Sequence, residues 1–307
     1  MNLKKLDAFV MVVERNSFSE AAAAMKSSQP SVSLKIKSLE EELGFELLDR
    51  RAAGIRPTSA GMLVYSAAKD IKVRWKTLED NLDEFQGKLT GTLSIGASTI
   101  PGTYLLPGWI KTFRSLYPKV DVRIEIGDSK SVLDQLQNHQ IDAAVIGIKV
   151  DSRLLTSKPI ASDSLVLVTP IGHPLLHAEC PDFTEIQQYD FVLREEGSGT
   201  RKMMEHFLME KGMSVDDLNI SISIGSTESV LAAVEAGLGI SFVSRLAAIP
   251  AAKAGRISII NNLEPYDREF YLVTHSDSQN RPLIKQFTET VMDSQGIEKA
   301  QTFEQND

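Results

Sequence analysis

Small polar and basic side chains recur on one face of a short helix that the sequence predicts from Pro30 onward. Proline fits the first position of a helix, where its missing N–H removes no hydrogen bond. Apolar residues then recur at spacings of four, three and four and form one stripe: Val32, Ile36, Leu39 and Leu43. At about 100° per residue, Leu34 and Lys37 point the opposite way. Hydroxyl, amide and ammonium groups on such a face can contact base edges and phosphates in the DNA major groove.

A second short helix is predicted directly before it. Residues 20–25 are nearly all alanine, the strongest helix former, and Ser27 and Ser28 interrupt the pattern. Two short helices joined by a tight turn predict a helix-turn-helix, whose second helix lies in the major groove. We expect base contacts from the start and outward face of that helix, at Ser28, Gln29, Pro30, Ser31, Ser33 and Leu34. Phosphate contacts are expected from Lys37, Arg50, Arg51 and Arg56.

The distribution of charge favours a local DNA contact. The net charge of −8 argues against bulk electrostatic binding to nucleic acid. Residues 50–76 nevertheless carry seven basic residues against one acid, Asp70. Three of them lie in the segment LLDRRAAGIRP at 47–57, which predicts two short extended arms around Ala53 and Gly54, a wing. Phosphate contacts by the wing and its flank explain this charge, and a solvated helix face explains it equally well.

A second set of candidate residues consists of hydroxyl side chains at predicted strand ends. They are Ser98 and Thr99 after one strand, Ser129 after the next, Thr200 in the loop GSGT, and Ser226 and Thr227 before another helix. Hydroxyls and unpaired amides at helix N-termini bind anions, and in open α/β sheets such points face a crevice. A single cluster of this kind is usually a helix cap. Four of them in one α/β region favour a pocket for a small anion.

The elements that must position these residues divide the chain into parts. A long helix is predicted from residue 59 to residue 87, with a three-heptad apolar seam: Val64, Ala68, Ile71, Trp75, Leu78, Leu82 and Phe85. This seam favours self-association, and packing within one chain is the alternative. From residue 92, strands alternate with helices, including one at 98–116 and a last one at 282–292. Continuous apolar strands in this order predict a mostly parallel sheet covered on both faces.

Other functions receive little support. The five histidines are scattered without metal-ligand spacing, and neither a P-loop nor a G-x-S-x-G nucleophile motif occurs, so we expect no enzyme, metal or cofactor.

The N-terminus lacks the apolar core of a signal peptide, and the longest apolar stretch, 231–250, is interrupted by Glu235 and Arg245. These features predict a cytoplasmic protein that does not contact membranes. Cys180 is the only cysteine, and an inert role is expected. A small-anion binding protein without DNA regulation remains the alternative.

The chain resembles the LysR-type transcriptional regulators over about residues 1–290. Family members typically begin with a stretch like LKKLDAFVMVVERNSFSEAAAAM, continue with QPSVSLKIKSLEEELGFELLDR, and proceed into RPTSAG. The later segments LREEGSGTR and SIGSTESVLAAVEAGLGISFVS are also similar to the family. One departure is Leu34, where family members often have a polar side chain. Apolar contact with thymine methyl groups is therefore expected there.

The resemblance implies a fold that combines α+β and α/β parts. It implies a winged helix-turn-helix at 1–58, a linker and dimerisation helix at 59–88, and an effector-binding domain at 92–294. That domain would have two Rossmann-like subdomains of the type II periplasmic-binding-protein kind, 92–161 with 268–294 and 162–267. The polar tail at 295–307 is expected to be disordered.

The resemblance also implies the partners. It places the effector between the two subdomains, with contacts from Ser98, Thr99, Ser129, Ile148, Thr200 and Ser226. Arg201 would pair with the anion or with a carboxylate such as Glu195. The GSGTR loop resembles that of family members that regulate sulfur assimilation or carbon fixation. The implied partners are double-stranded operator DNA, a small anionic effector, further copies of the chain in dimers and tetramers, and RNA polymerase.

Overall fold

The computed structural model of the chain describes residues 2–49, 55–85, 89–179, 181–279 and 281–304. The chain divides into two compact units, Met1–Glu79 and Asp80–Asp307. Of the predicted features, Arg50, Arg51, the wing tip at Ala53 and Gly54, and Cys180 lie outside the described residues. The predicted domain boundaries remain predictions.

The first unit is a helical cluster with a small two-stranded wing. Its elements are α1 (Leu3–Arg15), α2 (Phe18–Ala24), α3 (Gln29–Leu43), β1 (Leu48–Asp49), β2 (Arg56–Pro57) and the long helix α4 (Ser59–Phe85), which continues into the second unit. Ser17 and Ser28 cap α2 and α3 by accepting from the backbone N–H of Glu20 and Ser31. The strands β1 and β2 pair antiparallel, as the predicted wing requires. The predicted helix-turn-helix is therefore present.

Two details of α3 differ from the sequence prediction. Pro30 is its second residue, because Ser28 rather than Gln29 supplies the N-cap. The apolar stripe is buried at Val32, Ile36 and Leu39, but Leu43 is 41% exposed. Gly44 ends the helix in the left-handed conformation with φ of 76°, so the chain turns away and leaves Leu43 outside the core.

The seam of α4 is buried at its beginning and exposed farther along. Ala68 is fully buried in the core of the first unit, and Val64 and Ile71 pack against that core. Farther along, Trp75, Leu78 and Leu82 are about half exposed. The beginning of the seam therefore packs within its own chain, whereas its later part presents an apolar face to solvent.

The second unit contains the remaining elements. Its strands are β3 (Gly91–Ser98), β4 (Val120–Gly127), β5 (Ala143–Ile146), β6 (Leu155–Thr169), β7 (Asp190–Arg194), β8 (Asn219–Ile224), β9 (Ser241–Ser244), β10 (Ser258–Ile259) and β11 (Tyr266–His275). Its helices are α5 (Thr99–Tyr104), α6 (Leu106–Leu116), α7 (Ser129–Gln137), α8 (Phe183–Ile186), α9 (Gly199–Glu210), α10 (Thr227–Glu235), α11 (Arg245–Lys253) and α12 (Pro282–Glu304). Short 3-10 turns occupy Pro174–His177 and Val215–Asp217.

The prediction of a mostly parallel sheet is wrong. Among the described strands, parallel pairing joins β3 with β4 and β5 and joins β7 with β8, and an isolated parallel bridge links Phe191 to Ile240. The whole of β11 pairs antiparallel with residues 155–165 of β6, and β11 also pairs antiparallel with β5. These two strands carry the chain between a first half (β3, β4, β5) and a second half (β7, β8, β9), so their pairing joins segments far apart in sequence.

Two predicted helices also differ. The helix expected over 98–116 is divided into α5 and α6 at Leu105, because Pro107 near the start of α6 lacks the N–H that a continuous helix needs. The last helix extends to Glu304 rather than ending near Met292. The predicted disorder of the tail at 295–307 remains a prediction.

Strand direction brings the predicted hydroxyl clusters together. The parallel strands β3, β4 and β5 end at Ser98, Gly127 and Ile146, so the loops that follow meet at one edge of the sheet. In the second half, β7 and β8 end at Arg194 and Ile224, and their loops meet in the same way. These are the carboxyl ends at which open α/β sheets bind ligands.

Candidate DNA-binding surface and effector site

The outward face of α3 is accessible. Leu34 is 68% exposed, Ser28, Gln29, Pro30 and Lys37 are exposed, and Ser31 and Ser33 are partly exposed. Lys37 lies 3.9 Å from Glu41, an exposed contact of little energetic weight. Arg56 is exposed on β2 of the wing. The face predicted to enter the major groove is thus available to bind DNA.

Glu40 positions the wing beside α3. Its Oε1 accepts hydrogen bonds from the backbone N–H of Leu47, at 2.9 Å, and of Leu48, at 3.4 Å. The carboxylate therefore fixes the chain where it leaves α3 and begins β1. Thr58 fixes the other end, since its hydroxyl donates to the Glu46 carbonyl at 2.7 Å and caps α4 by accepting from Gly61 N–H.

A cavity of about 400 Å³ lies between the two halves of the second unit. Five of the predicted effector residues line it: Ser98, Thr99, Ser129, Thr200 and Ser226. Ser129 and Thr200 are buried, and a Cβ atom added at Gly199 would lie 3.6 Å from Ser129 Oγ. Hydroxyl groups from loops of both halves thus surround one space, as strand direction predicts.

A buried ion pair forms part of the wall of this cavity. Arg268 on β11 donates from Nε and Nη2 to Asp163 on β6, at 2.9 and 2.6 Å. Its third nitrogen, Nη1, lies 3.5 Å from Thr200 Oγ1, and the guanidinium stacks over the Phe270 ring at 4.8 Å. Arg268 therefore directs one N–H group toward the cavity while its other nitrogens bind Asp163.

Arg194 and Glu195 form a second charged group in the wall. Arg194, at the end of β7, donates to both carboxylate oxygens of Glu195, at 2.8 and 2.7 Å, and from Nη1 to Thr227 Oγ1 at 2.6 Å. Burial raises the pKa of Glu195, but the hydrogen bonds and charge of Arg194 outweigh this effect and hold the pKa below its ordinary value. Glu195 is therefore ionised at neutral pH.

The chain matches two family descriptions that together cover most of its length. Residues 3–62 match "Bacterial regulatory helix-turn-helix protein, lysR family", and residues 86–296 match "LysR substrate binding domain". The chain belongs to the LysR family. It is a DNA-binding transcriptional regulator with an effector-binding domain, as the sequence resemblance implied.

Relatives support the same family assignment across the chain. The "HTH-type transcriptional regulator CbbR" of Rhizobium meliloti is 32% identical over 275 residues, covering 89% of this chain and 87% of that protein. The "Probable RuBisCO transcriptional regulator" of Synechocystis is 33% identical over 248 residues, covering 80% and 72%.

Solved structures share the fold. A full-length OxyR variant from Pseudomonas aeruginosa superposes with a TM-score of 0.75 at 20% identity, covering 95% of this chain and 94% of that one. The regulatory domain of Synechocystis CcmR in complex with 2-PG superposes with a TM-score of 0.61 at 21% identity, covering 67% and 97%.

Two predicted effector residues of this LysR regulator lie outside the cavity lining. Gly147 lines the cavity in place of its neighbour Ile148. Arg201 does not line it, because its Nε donates to Glu205 at 2.8 Å and its Nη1 to the Arg194 carbonyl at 3.2 Å. The expected partner of Arg201, Glu195, is instead bound by Arg194.

Sequence reasoning missed Arg194 and Arg268. Each is the one basic residue in an otherwise largely apolar strand segment, FVLR and REFYLV, and both are buried. Because lysine and arginine are rarely buried without a partner, an isolated arginine in such a strand is a usable signal of a buried charged site.

A second cavity of about 520 Å³ shares Arg268 with the first, and Asp163 also lines this second cavity. It is otherwise lined by residues of β6, α11 and β11: Ser162, Ser164, Arg245, Leu246, Ile249, Asp267 and Glu269. None of the residues predicted to bind the effector lines it.

In the part of the chain that the structure describes, no group of three or more His, Cys, Asp or Glu side chains could hold a metal ion, and no helix is long and apolar enough to cross a membrane.

Asp163→Asn tests the buried ion pair. This change should lower the free energy of unfolding of the regulatory part by about 3–5 kcal/mol, because Arg268 would retain a buried, uncompensated charge. Denaturant unfolding of the full chain measures the effect. Asp121→Asn is the matched control, because its ion pair with Arg123 is exposed and should contribute no more than about 1 kcal/mol. Equal effects of the two changes would show that Asp163 does not compensate Arg268.

Proposed function

We propose that this LysR regulator binds operator DNA through α3 and the wing, and that a small anion bound in the 400 Å³ cavity modulates its activity. The observation that carries the proposal is the convergence of Ser98, Ser129 and Thr200 with Arg268 on one enclosed space. Hydroxyls and a guanidinium supply hydrogen-bond donors without a lysine, which suits a carboxylate, sulfate or phosphate group.

The named relatives suggest a metabolic role. One is named as a probable regulator of RuBisCO, and the CcmR domain was solved with 2-PG. We propose that the effector is a metabolite of carbon or sulfur metabolism. The relatives are transcriptional regulators, which supports our expectation that the chain is not an enzyme. We also propose a cytoplasmic location and contact with RNA polymerase at the promoter.

Thr200→Val tests the effector site. Loss of the hydroxyl should leave one acceptor of the ligand unpaired and weaken binding by about 1–3 kcal/mol. A thermal-shift screen of small anions, including 2-PG, identifies a ligand, and calorimetry then compares the variant with the wild type. Thr288→Val is the control, because Thr288 bonds within α12 and does not line the cavity. Wild-type affinity in Thr200→Val would exclude this cavity as the effector site.

Gln29→Ala and Arg56→Ala test the division between base and phosphate contacts. Gln29 should read a base edge, so its loss should relax sequence preference at one position by roughly 1–3 kcal/mol. Arg56 should contact phosphate, so its loss should weaken all sequences similarly and reduce the salt slope by about one. Mobility shifts on operator and scrambled DNA over a series of salt concentrations measure both. Proportional loss on both DNAs in the two variants would contradict the division.

Leu78→Lys tests dimer formation. We propose that the exposed later part of the α4 seam, Trp75, Leu78 and Leu82, is covered by a second copy of the chain. A lysine there would place a charge in an apolar interface, so sedimentation should report smaller species and operator binding should weaken. Ser66→Lys adds the same charge at another exposed position of α4, off the seam, and should leave assembly intact. Unchanged assembly of Leu78→Lys would contradict a role for this seam.

A further inference from the structure

The charged groups around the effector cavity are not those of a simple anion site. Asp128, Arg194, Glu195 and Arg268 line it, and Asp163 binds Arg268 from behind. Among these described residues, three carboxylates stand against two guanidinium groups. The lining itself therefore carries two negative and two positive groups, and Asp163 adds a third carboxylate behind Arg268.

The helix N-terminus beside Asp128 is already occupied by an acid. Asp128 Oδ1 accepts from the backbone N–H of Lys130 and of Ser131, both at 2.9 Å, and so caps α7. Ser198 and Ser226 cap α9 and α10 in the same way through Arg201 N–H and Ser229 N–H. An anionic ligand therefore meets a carboxylate, rather than unpaired amides, at the start of α7.

The two guanidinium groups differ in how many of their nitrogens already donate short hydrogen bonds within the protein. All three nitrogens of Arg194 donate within the protein, to Glu195 and to Thr227. Arg268 is bound through Nε and Nη2 by Asp163, but its Nη1 makes only a long contact of 3.5 Å with Thr200. An anionic group of a ligand would therefore form its strongest hydrogen bonds with Arg268 Nη1 and the Thr200 hydroxyl.

Asp128 and Glu195 favour a positively charged group of the ligand, in contrast to Arg268. Glu195 is ionised, its side chain is 39% exposed, and the Asp128 charge acts on it from the other half of the unit. Each carboxylate oxygen can accept more than one hydrogen bond. A ligand with a second acidic group beside these carboxylates would meet repulsion, whereas an ammonium group there would donate to them.

We propose that the effector is a small zwitterion, with one anionic group bound by Thr200 and Arg268 and a protonated amine bound by Glu195 and Asp128. This inference rests on the proposed function, because it identifies the ligand class of the same cavity. It differs from a diacid such as 2-PG in the charge expected next to Glu195.

Matched pairs of probes test the inference. Serine is compared with glyceric acid, and O-phosphoserine with 3-phosphoglyceric acid, so that within each pair an ammonium replaces a hydroxyl group. Calorimetry on the full-length chain should give tighter binding for the amine member of at least one pair, by about tenfold or more, as a charge-assisted hydrogen bond contributes. 2-PG is measured in parallel.

Charge-neutral variants identify the residues responsible. Glu195→Gln should abolish the preference for the amine while retaining binding of the acid group, because glutamine can still accept from Arg194. Asp128→Asn should reduce the preference while keeping the cap of α7, which asparagine also provides. Glu196→Gln is the matched control: Glu196 is exposed, adjacent in sequence and absent from the cavity lining, so the preference should persist.

The outcomes separate this inference from the proposed function. Binding of 2-PG or of the hydroxy acids with no gain from the amine would overturn the zwitterion and leave the effector cavity in place. An amine preference that survives in Glu195→Gln and Asp128→Asn would also overturn it. Absence of saturable binding by every probe would overturn both proposals.

Discussion

The buried ion pair between Arg268 and Asp163 is the interaction on which the regulatory part of the molecule depends. The two residues face each other in the register of β6 and β11, the strands that carry the chain between the two halves. Asp163 also accepts from Ser244 Oγ at 2.7 Å and from Leu246 N–H at the start of α11. One carboxylate thus fixes a strand pair, a helix start and the orientation of a guanidinium that lines the 400 Å³ cavity.

This arrangement links ligand binding to the fold. An anion at Thr200 would bind Nη1 of the guanidinium whose Nε and Nη2 donate to Asp163. Any shift of Arg268 would therefore also act on the paired strands β6 and β11 and on the start of α11. In the second half, Arg194 also lines the cavity, and its guanidinium donates to both carboxylate oxygens of Glu195. Both guanidinium groups are therefore restrained before a ligand arrives, and selectivity depends on which of their nitrogens a ligand can reach.

Local signals made the DNA-binding part predictable. The stop at Ser27 and Ser28, the proline at the start of α3 and the apolar stripe at Val32, Ile36 and Leu39 all act within a few residues. The hydroxyl clusters were predictable because strand ends and helix starts are also local. The antiparallel pairing of β6 with β11 was not, since it joins residues 105 positions apart, as Asp163 and Arg268 are. The roles of Arg194 and Arg268 depend on that distant pairing, so they were missed, and Arg201 was assigned to the site because it is close in sequence.

Hydrogen exchange of the full chain with and without its tightest small-acid ligand tests the central claim most directly. If the effector binds between the two halves, backbone amides at the starts of α7 and α9, around Ser129–Ser131 and Gly199–Arg201, should exchange more slowly when the ligand is present. Protection confined to Ser162–Ser164 and to the start of α11 would place the ligand in the second cavity and contradict the account.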